Sequence, residues 1–401
     1  MIPFALHAEL PPALVAGSAA LRPPAVVAPQ PREASFGWVA GRAAFGPVRV
    51  RVLVDGVQKG TKGVQGASPF SFSLDLPPRD VRIRVVAEAA DGERAAATVT
   101  NVRGLPREAR PGRMGRSLED RKLARRVRAL ARDFRGTAAV YVQDLSTGRG
   151  AAWNARAKFP AASTLKLAIA VEALRRERGR PSSGSQLDSL LRAMLVHSDN
   201  EAANRLLVRI GGSTSGGSAS VNALLRSLGI RESHLYGGYG TTTVAAAGRP
   251  IPLRVNEQPS FGVGKHTTAW DLARLHRFVH LATRGLGPLP RTSGSFGRAD
   301  ARYLVWILAR VSDPGKLDRF LPRATTVTHK AGWLRQARHD AGIVFWQEGS
   351  FVAAVLTWNA SGVGTGADVL AGRVARAALV RFRELRAAAD GGRTDAWAAS
   401  A

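Results

Sequence analysis

The order of strand and helix patterns between residues 117 and 390 restricts the fold of this chain more than any other feature. Alternating apolar residues mark strands at both ends of this region, and amphipathic helical patterns fill the middle. The predicted strands are 138–143, 150–153, 325–330, 341–346 and 351–358, and a last helix is predicted over 368–388. Because strands from both ends must bury their apolar faces together, the pattern predicts an α+β fold with one antiparallel sheet flanked by helices.

A separate all-β domain is predicted before this region, because 401 residues exceed the usual size of one hydrophobic core. Residues 34–104 contain short strands with period-two alternation, as in Val48–Val54, separated by Gly, Pro and Asp. This pattern is typical of a small β-sandwich of immunoglobulin-like type. The remaining segments are predicted as an export remnant or disordered start at 1–33, a Pro, Gly and Arg-rich linker at 105–116, a basic helix at 118–134, and a disordered tail at 391–401.

The amino-acid composition limits which side chains can act in catalysis or metal binding. The chain has no cysteine, which excludes disulfides, thiolate catalysis and cysteine metal sites. Its net charge of +28 favours anionic partners. Only 8 of the 58 basic residues are lysine. A lysine amine can lose its proton when it is desolvated, whereas a guanidinium stays charged, so lysines in apolar surroundings are candidates for chemistry.

Ser163 and Lys166 form the first candidate site. They precede Leu167–Val171, an almost wholly apolar segment that belongs in a core helix. Residues three apart lie on the same helix face, so the Lys166 amine is expected to reach the Ser163 hydroxyl, as a base beside a nucleophile. A Ser-x-x-Lys tetrapeptide also arises by chance, but burial without a neighbouring carboxylate is expected to lower the pKa of Lys166 towards neutrality.

Two further elements follow in order. Ser198-Asp199-Asn200 lies between two helical patterns, where Asp199 or Asn200 would equally serve as an ordinary N-cap. Lys330-Ala331-Gly332-Trp333 leads into a predicted strand. The alternative to a functional lysine at this position is a structural lysine in a turn at the end of a strand. A glycine there allows a ligand to approach the strand edge closely.

Together the three elements resemble the signature of class A serine β-lactamases and penicillin-binding proteins. The resemblance covers about 117–390 and includes the segments 201–207, 267–275 and 338–344. It implies a β-lactamase/transpeptidase-like fold and a penicillin-recognising serine hydrolase that needs no cofactor and no metal.

The resemblance also implies a role for each residue. Ser163 attacks the carbonyl and Lys166 takes its proton, while the backbone N–H groups of Ser163 and Trp333 hold the oxyanion. Ser198 relays a proton to the leaving nitrogen. Asn200 binds the substrate's side-chain amide, and Lys330, beside Gly332, attracts its carboxylate.

The chain departs from the family pattern at three places, and one of them is the interval from Ser163 to Ser198, which is shorter than in a typical class A enzyme. Ala331 stands where the family usually has Thr or Ser, which removes a hydroxyl donor to the substrate carboxylate. Class A enzymes also carry a loop glutamate that activates the deacylating water. Glu257 is the only carboxylate between Glu232 and Asp271, so it is the candidate for that base, against an ordinary solvated loop residue.

The leading hypothesis is therefore hydrolysis of β-lactams through an acyl-enzyme. The nearest alternative is a D-Ala-D-Ala carboxypeptidase, another penicillin-binding protein or another serine amidase or esterase. A non-catalytic binder of anionic cell-wall polymer is the alternative of a different class. We expect an exported monomer despite the poor export signal, with no transmembrane segment and no nucleic-acid partner.

Overall fold

The computed structural model describes residues 21–44, 48–112, 116–177, 179–240, 256–261 and 264–398. The helices of this part are α1 Arg121–Arg132, α2 Lys166–Arg176, α3 Gln186–Val196, α4 Asn200–Gly211, α5 Thr214–Ser227, α6 Ala269–Ala282, α7 Arg298–Leu308 and α8 Gly366–Ala398. The strands of the N-terminal region are β1 Ala25–Ala28, β2 Ala34–Ser35, β3 Trp38–Arg42, β4 Val48–Val54, β5 Val57–Val64, β6 Pro69–Ser73, β7 Asp80–Ala89 and β8 Arg94–Gly104. The remaining strands are β9 Leu118–Glu119, β10 Thr137–Asp144, β11 Arg149–Trp153, β12 Phe159–Pro160, β13 His266–Thr267, β14 Thr326–Leu334, β15 Ala337–Trp346 and β16 Gly349–Trp358.

The central sheet joins strands from both ends of the second region, as the sequence predicted. Its order is β14-β15-β16-β10-β11-β9, and its long strands are antiparallel. β14, β15 and β16 extend beyond their predicted bounds, and β10 pairs with β16 over its whole length. This arrangement confirms the predicted α+β fold.

Helices cover both faces of this sheet. Helices α2 to α7 contribute to one apolar core, and α1 and α8 pack against the opposite face. The predicted basic helix 118–134 is shorter than expected, because Leu118–Glu119 pairs with β11 and Asp120 caps the helix by accepting a hydrogen bond from Leu123 N. No helix in the described ranges is long and apolar enough to cross a membrane.

The N-terminal region contains two sheets around a core of its own. The sheets have the orders β1-β3-β6 and β2-β8-β7-β4-β5, and side chains from both enclose the apolar cluster that includes Val39, Val52 and Ile83. The two facing sheets agree with the predicted sandwich, while the immunoglobulin-like assignment stays a prediction.

The segments predicted to flank the sandwich are more ordered than expected. The segment 1–33 was predicted as disordered or as an export remnant, but Arg32 and Glu33 are buried. Residues 1–20 of this segment lie outside the described part of the chain. Leu105 and Ala109, in the predicted linker 105–116, are buried in the same core as α2 and α6. The tail predicted over 391–401 is helical as far as Ala398. Burial of Leu105 and Ala109 explains why this part of the predicted linker is fixed.

Candidate active site

A rigid turn carries Ser163. The residues before it form β12, which pairs with β13, and Ala161 N donates a hydrogen bond of 2.8 Å to Lys265 O. Helix α2 begins at Lys166, so Ser163 lies in the preceding turn rather than in the helix itself. Lys166 N closes that turn by donating to Ser163 O at 3.2 Å. Ala162 has φ 46°, a left-handed conformation that is costly for a residue with a side chain and is typical of functional sites.

Lys166 is fully buried beside this turn. Its Nζ donates to Ser198 O and Asn200 Oδ1, at 2.5 and 2.7 Å. Burial, followed by repulsion from the charge of Lys330, lowers the pKa of Lys166 to about 7. Close to neutral pH the amine is therefore often uncharged, with two N–H groups to donate and a lone pair left to accept a proton.

The predicted contact between Lys166 and the Ser163 hydroxyl is not a hydrogen bond in this structure. Ser163 Oγ makes no hydrogen bond to any atom of the described chain, and the Lys166 amine is directed at Ser198 and Asn200. Catalytic hydrogen bonds are often long before substrate is bound. Ser163 and Lys166 are nevertheless neighbours in the turn at which α2 begins.

Ser198-Asp199-Asn200 connects α3 with α4. Ser198 has φ 58°, which turns the chain so that its carbonyl and the Asn200 side chain both face Lys166. Asp199 is the N-cap of α4 and accepts a hydrogen bond from Ala202 N at 2.6 Å. The capping alternative is thus correct for Asp199, while Ser198 and Asn200 take part in the cluster.

Lys330 reaches the cluster from β14. Its buried Nζ donates to Ser198 Oγ at 3.1 Å and to Ala331 O at 2.9 Å. Burial lowers the pKa of Lys330 to about 8. Ser198 Oγ also lies 3.5 Å from Lys166 Nζ, so one hydroxyl stands between two amines and can pass a proton from one side to the other.

Gly332 allows β14 to pass directly against the Ser163 turn. A Cβ atom at Gly332 would lie 2.6 Å from Ser163 N and 3.0 Å from Thr164 N, closer than packed atoms allow. β14 is the last strand at this end of the sheet. The following residue, Trp333, is in the same strand, and 67% of its surface is exposed. The strand edge and the Ser163 backbone thus border one cleft.

Glu257 is the predicted site residue that the structure does not bring to the cluster. Its carboxylate accepts a hydrogen bond of 2.6 Å from Thr137 Oγ1, and its backbone is bound to the Asn154 side chain. Thr137 begins β10, which is three strands away from β14. Since neighbouring strands are about 4.8 Å apart, this carboxylate lies roughly 14 Å from the strand that carries Lys330.

Tyr239 occupies the space beside Lys166, and the sequence did not predict this. Its ring centroid lies 4.8 Å from Lys166 Nζ and 4.9 Å from Lys265 Nζ. The Asn204 side chain fixes the Tyr239 backbone through two hydrogen bonds, from Tyr239 N at 2.6 Å and to Tyr239 O at 2.9 Å. An aromatic face in this position stabilises ammonium groups but cannot accept a proton.

Lys265 completes this side of the cleft. Its Nζ donates to Gly238 O at 2.6 Å, and burial lowers its pKa. The Tyr239 hydroxyl is buried and has no hydrogen-bond partner in the described ranges, and burial raises its pKa. The sequence signal for these residues was weak, because Tyr239 stands in a Gly-rich segment that resembles an ordinary loop.

No group of three His, Asp or Glu side chains capable of holding a metal ion occurs in the described part of the chain. The cluster around Ser163 consists of hydroxyl, amine and amide groups. Its arrangement suits proton transfer to and from a nucleophilic serine.

Comparison with known proteins extends these observations. The PBP-A structure is 21% identical to the chain, with a TM-score of 0.51, and the match covers 70% of this chain and 99% of PBP-A. The β-lactamase from Streptosporangium roseum is 20% identical, with a TM-score of 0.51, and the match covers 66% of this chain and 99% of that enzyme. A PBP-A mutant solved as an acyl-enzyme complex with penicillin G is 21% identical, with a TM-score of 0.50, over 67% of this chain and 98% of the mutant. These similarities support the fold.

A search of the curated proteins found no match. The model of the Beta-lactamase enzyme family, however, matches residues 122–180 and 177–382, which is more than half of the chain. The matched region contains the Ser163 turn, the Ser198 loop and β14. The chain therefore belongs to the β-lactamase enzyme family.

Proposed function

We propose that this protein is a serine acyl-transfer enzyme that opens β-lactam rings and forms a long-lived acyl-enzyme on Ser163. The observation that carries the proposal is the cluster of Lys166, Ser198 and Lys330 beside the Ser163 turn, with the Tyr239 ring rather than a carboxylate in contact with Lys166. This arrangement favours a penicillin-binding amidase over a fast β-lactamase.

Acylation follows from the amines. Ser163 Oγ attacks the amide carbonyl carbon while neutral Lys166 Nζ takes the hydroxyl proton. The backbone N–H groups of Ser163 and Trp333 stabilise the oxyanion. Ser198 donates its proton to the leaving nitrogen, and the C–N bond breaks. The neighbouring amines reprotonate Ser198, and the acyl group remains bound to Ser163 as an ester.

Substrate binding uses the remaining polar groups. Asn200 is suited to bind the amide of the substrate side chain, and Lys330 attracts the carboxylate that β-lactams and D-Ala-D-Ala peptides share. Ala331 offers no hydroxyl for that carboxylate, which favours looser recognition than in enzymes with Thr at this position.

Deacylation is expected to be slow. It requires a base that removes a proton from water near the ester, and Glu257 points to Thr137 instead. Tyr239 cannot replace it, because burial raises its pKa and keeps the phenol protonated. The natural substrate is then a cell-wall peptide or a related amide, which implies an exported protein.

The test is intact-mass analysis of the purified protein with penicillin G over time. The control variant is Ser295→Ala, which removes an exposed serine far along the chain from Ser163. We expect one penicilloyl adduct on the wild type and on this control, and none on Ser163→Ala. Release of D-Ala from a D-Ala-D-Ala peptide is measured in parallel.

Three outcomes separate the alternatives. A persistent adduct supports the proposal, and rapid loss of penicillin without a lasting adduct would identify a β-lactamase instead. Neither adduct nor turnover in the wild type would rule out β-lactam chemistry at Ser163.

A further inference from the structure

A groove runs between α1 and α8 on the sheet face opposite the Ser163 cleft. Its cavity volume is about 750 Å³. We call it the α1–α8 groove and define it by its lining residues: Lys122, Leu123, Arg125, Arg126, Ala129, Arg373, Arg376, Ala377, Val380, Arg381 and Glu384. Six of these side chains are cationic and one is anionic, so the groove has a strongly positive field.

Three arginines of the groove have no ion-pair partner in the described ranges. They are Arg125 and Arg126 on α1 and Arg376 on α8, and all three are exposed. The other cations are partly neutralised, for example through Lys122 with Glu384 at 2.9 Å and Arg381 with Asp120 at 3.0 Å. The unpaired guanidinium groups line both walls of the groove and are free to bind anions from two sides.

The floor of the groove is apolar. Ala129 and Val380 are exposed, and 49% of the surface of Val380 is accessible to solvent. Ala377 between them is half-buried. A small inorganic anion bound at the rim would leave this floor in water. A chain with neutral carbon segments between its charges would cover the floor while its anions meet the arginines.

A groove between two helices suits a narrow chain better than a flat partner. Residues four apart on each helix are about 6 Å apart along the axis, so cations recur along the whole length of the groove. A flexible chain can lie along the groove between the helices, whereas a planar lipid surface would meet the cationic helix rims first.

We propose that the α1–α8 groove binds a linear polyanion whose charges are joined by short carbon or polyol segments, such as a polyol-phosphate chain. α1 and α8 pack on one sheet face, and α2, with the Ser163 turn before it, packs on the other. Bound polymer therefore leaves the catalytic cleft open and holds the enzyme at an anionic matrix.

The test uses a fluorescent glycerol-phosphate oligomer and the full chain. The variant Arg125→Ser/Arg126→Ser/Arg376→Ser removes the three unpaired charges. The matched control, Arg42→Ser/Arg84→Ser/Arg291→Ser, removes three exposed charges elsewhere. We expect the groove variant to bind at least about tenfold more weakly, with a salt dependence lower by about two units of slope, and the control to bind almost as tightly as the wild type.

The remaining outcomes overturn the proposal. Equal weakening in both variants would show that only net charge matters. Tighter binding to phosphatidylglycerol vesicles or to single-stranded DNA than to the oligomer, lost in the groove variant, would assign the groove to a membrane or a nucleic acid. Penicillin acylation of both variants, measured alongside, checks that they are folded and is independent of the binding result.

Discussion

Replacing Arg32 with leucine should destabilise the whole protein, because Arg32 neutralises a buried carboxylate in the second region. Arg32 Nη1 lies 2.5 Å from Asp188 Oδ1, and the two side chains are 10% and 2% exposed. Arg32 also donates to Pro181 O at 2.9 Å. The Tyr303 hydroxyl and Gly184 N donate to the same carboxylate, but neither carries a charge.

Breaking a buried ion pair from one side costs about 3–5 kcal/mol, because the remaining charge is left in a poor solvent. For a region of this size, 1 kcal/mol corresponds to roughly 2–4 °C in Tm. We therefore expect Arg32→Leu to lower Tm by about 6–20 °C. The double variant Arg32→Leu/Asp188→Leu should recover part of this loss, since it removes both charges.

The assays are thermal unfolding for Tm and urea unfolding for the free energy, both followed by tryptophan fluorescence, with Arg94→Leu as the control. Arg94 pairs with Glu88 at 3.0 Å at the surface, where 61% of the arginine side chain is exposed, so its loss should change the stability little. If Arg32→Leu unfolds within 1 kcal/mol of that control, the contact with Asp188 does not tie the two regions together, and the reasoning fails.

Two further predictions concern the reaction. The rate of acylation by penicillin G should rise through pH 7, where Lys166 loses its proton, and fall above about pH 8, where Lys330 loses its charge. In Lys330→Arg the fall should disappear while the rise remains, and an unchanged fall in stopped-flow profiles would exclude Lys330 as its cause. Tyr239→Glu places a carboxylate beside Lys166 and should speed deacylation by about 100-fold or more. Tyr239→Phe should leave the adduct lifetime unchanged, and equal lifetimes in the two variants would contradict the role given to this position.

The sequence predicted most of the second region because its signals are local. Period-two alternation locates the long strands, and the apolar residues after Lys166 identify a buried helix. The residues of the three motifs meet because the sheet joins the two ends of the region. Ser198 and Lys330 are 132 residues apart, yet their side chains are hydrogen-bonded.

Contacts that depend on long-range packing were beyond sequence reasoning. Arg32 was part of the segment predicted as disordered or as an export remnant, and Phe36 was part of a separate predicted domain. The Phe36 and His280 ring centroids nevertheless lie 5.7 Å apart, and Phe36 belongs to the core of the second region. Glu257 was chosen as the only acid on its loop, and residue type alone does not tell that its carboxylate faces Thr137. Tyr239 belongs to no sequence motif, and its position at Lys166 depends on long-range contacts such as those of its backbone with Asn204.

The pairing of β10 with β16 also has a consequence for synthesis on the ribosome. Thr137 lies opposite Trp358, so the middle of the central sheet is incomplete until about 220 later residues have been made. The N-terminal sandwich, whose strands all precede residue 105, is complete long before that point. Its core can form first, and the nascent chain then holds α2 and its lysine as an exposed apolar segment until β14, β15 and β16 emerge. A chaperone that binds apolar helices would find its target in this interval.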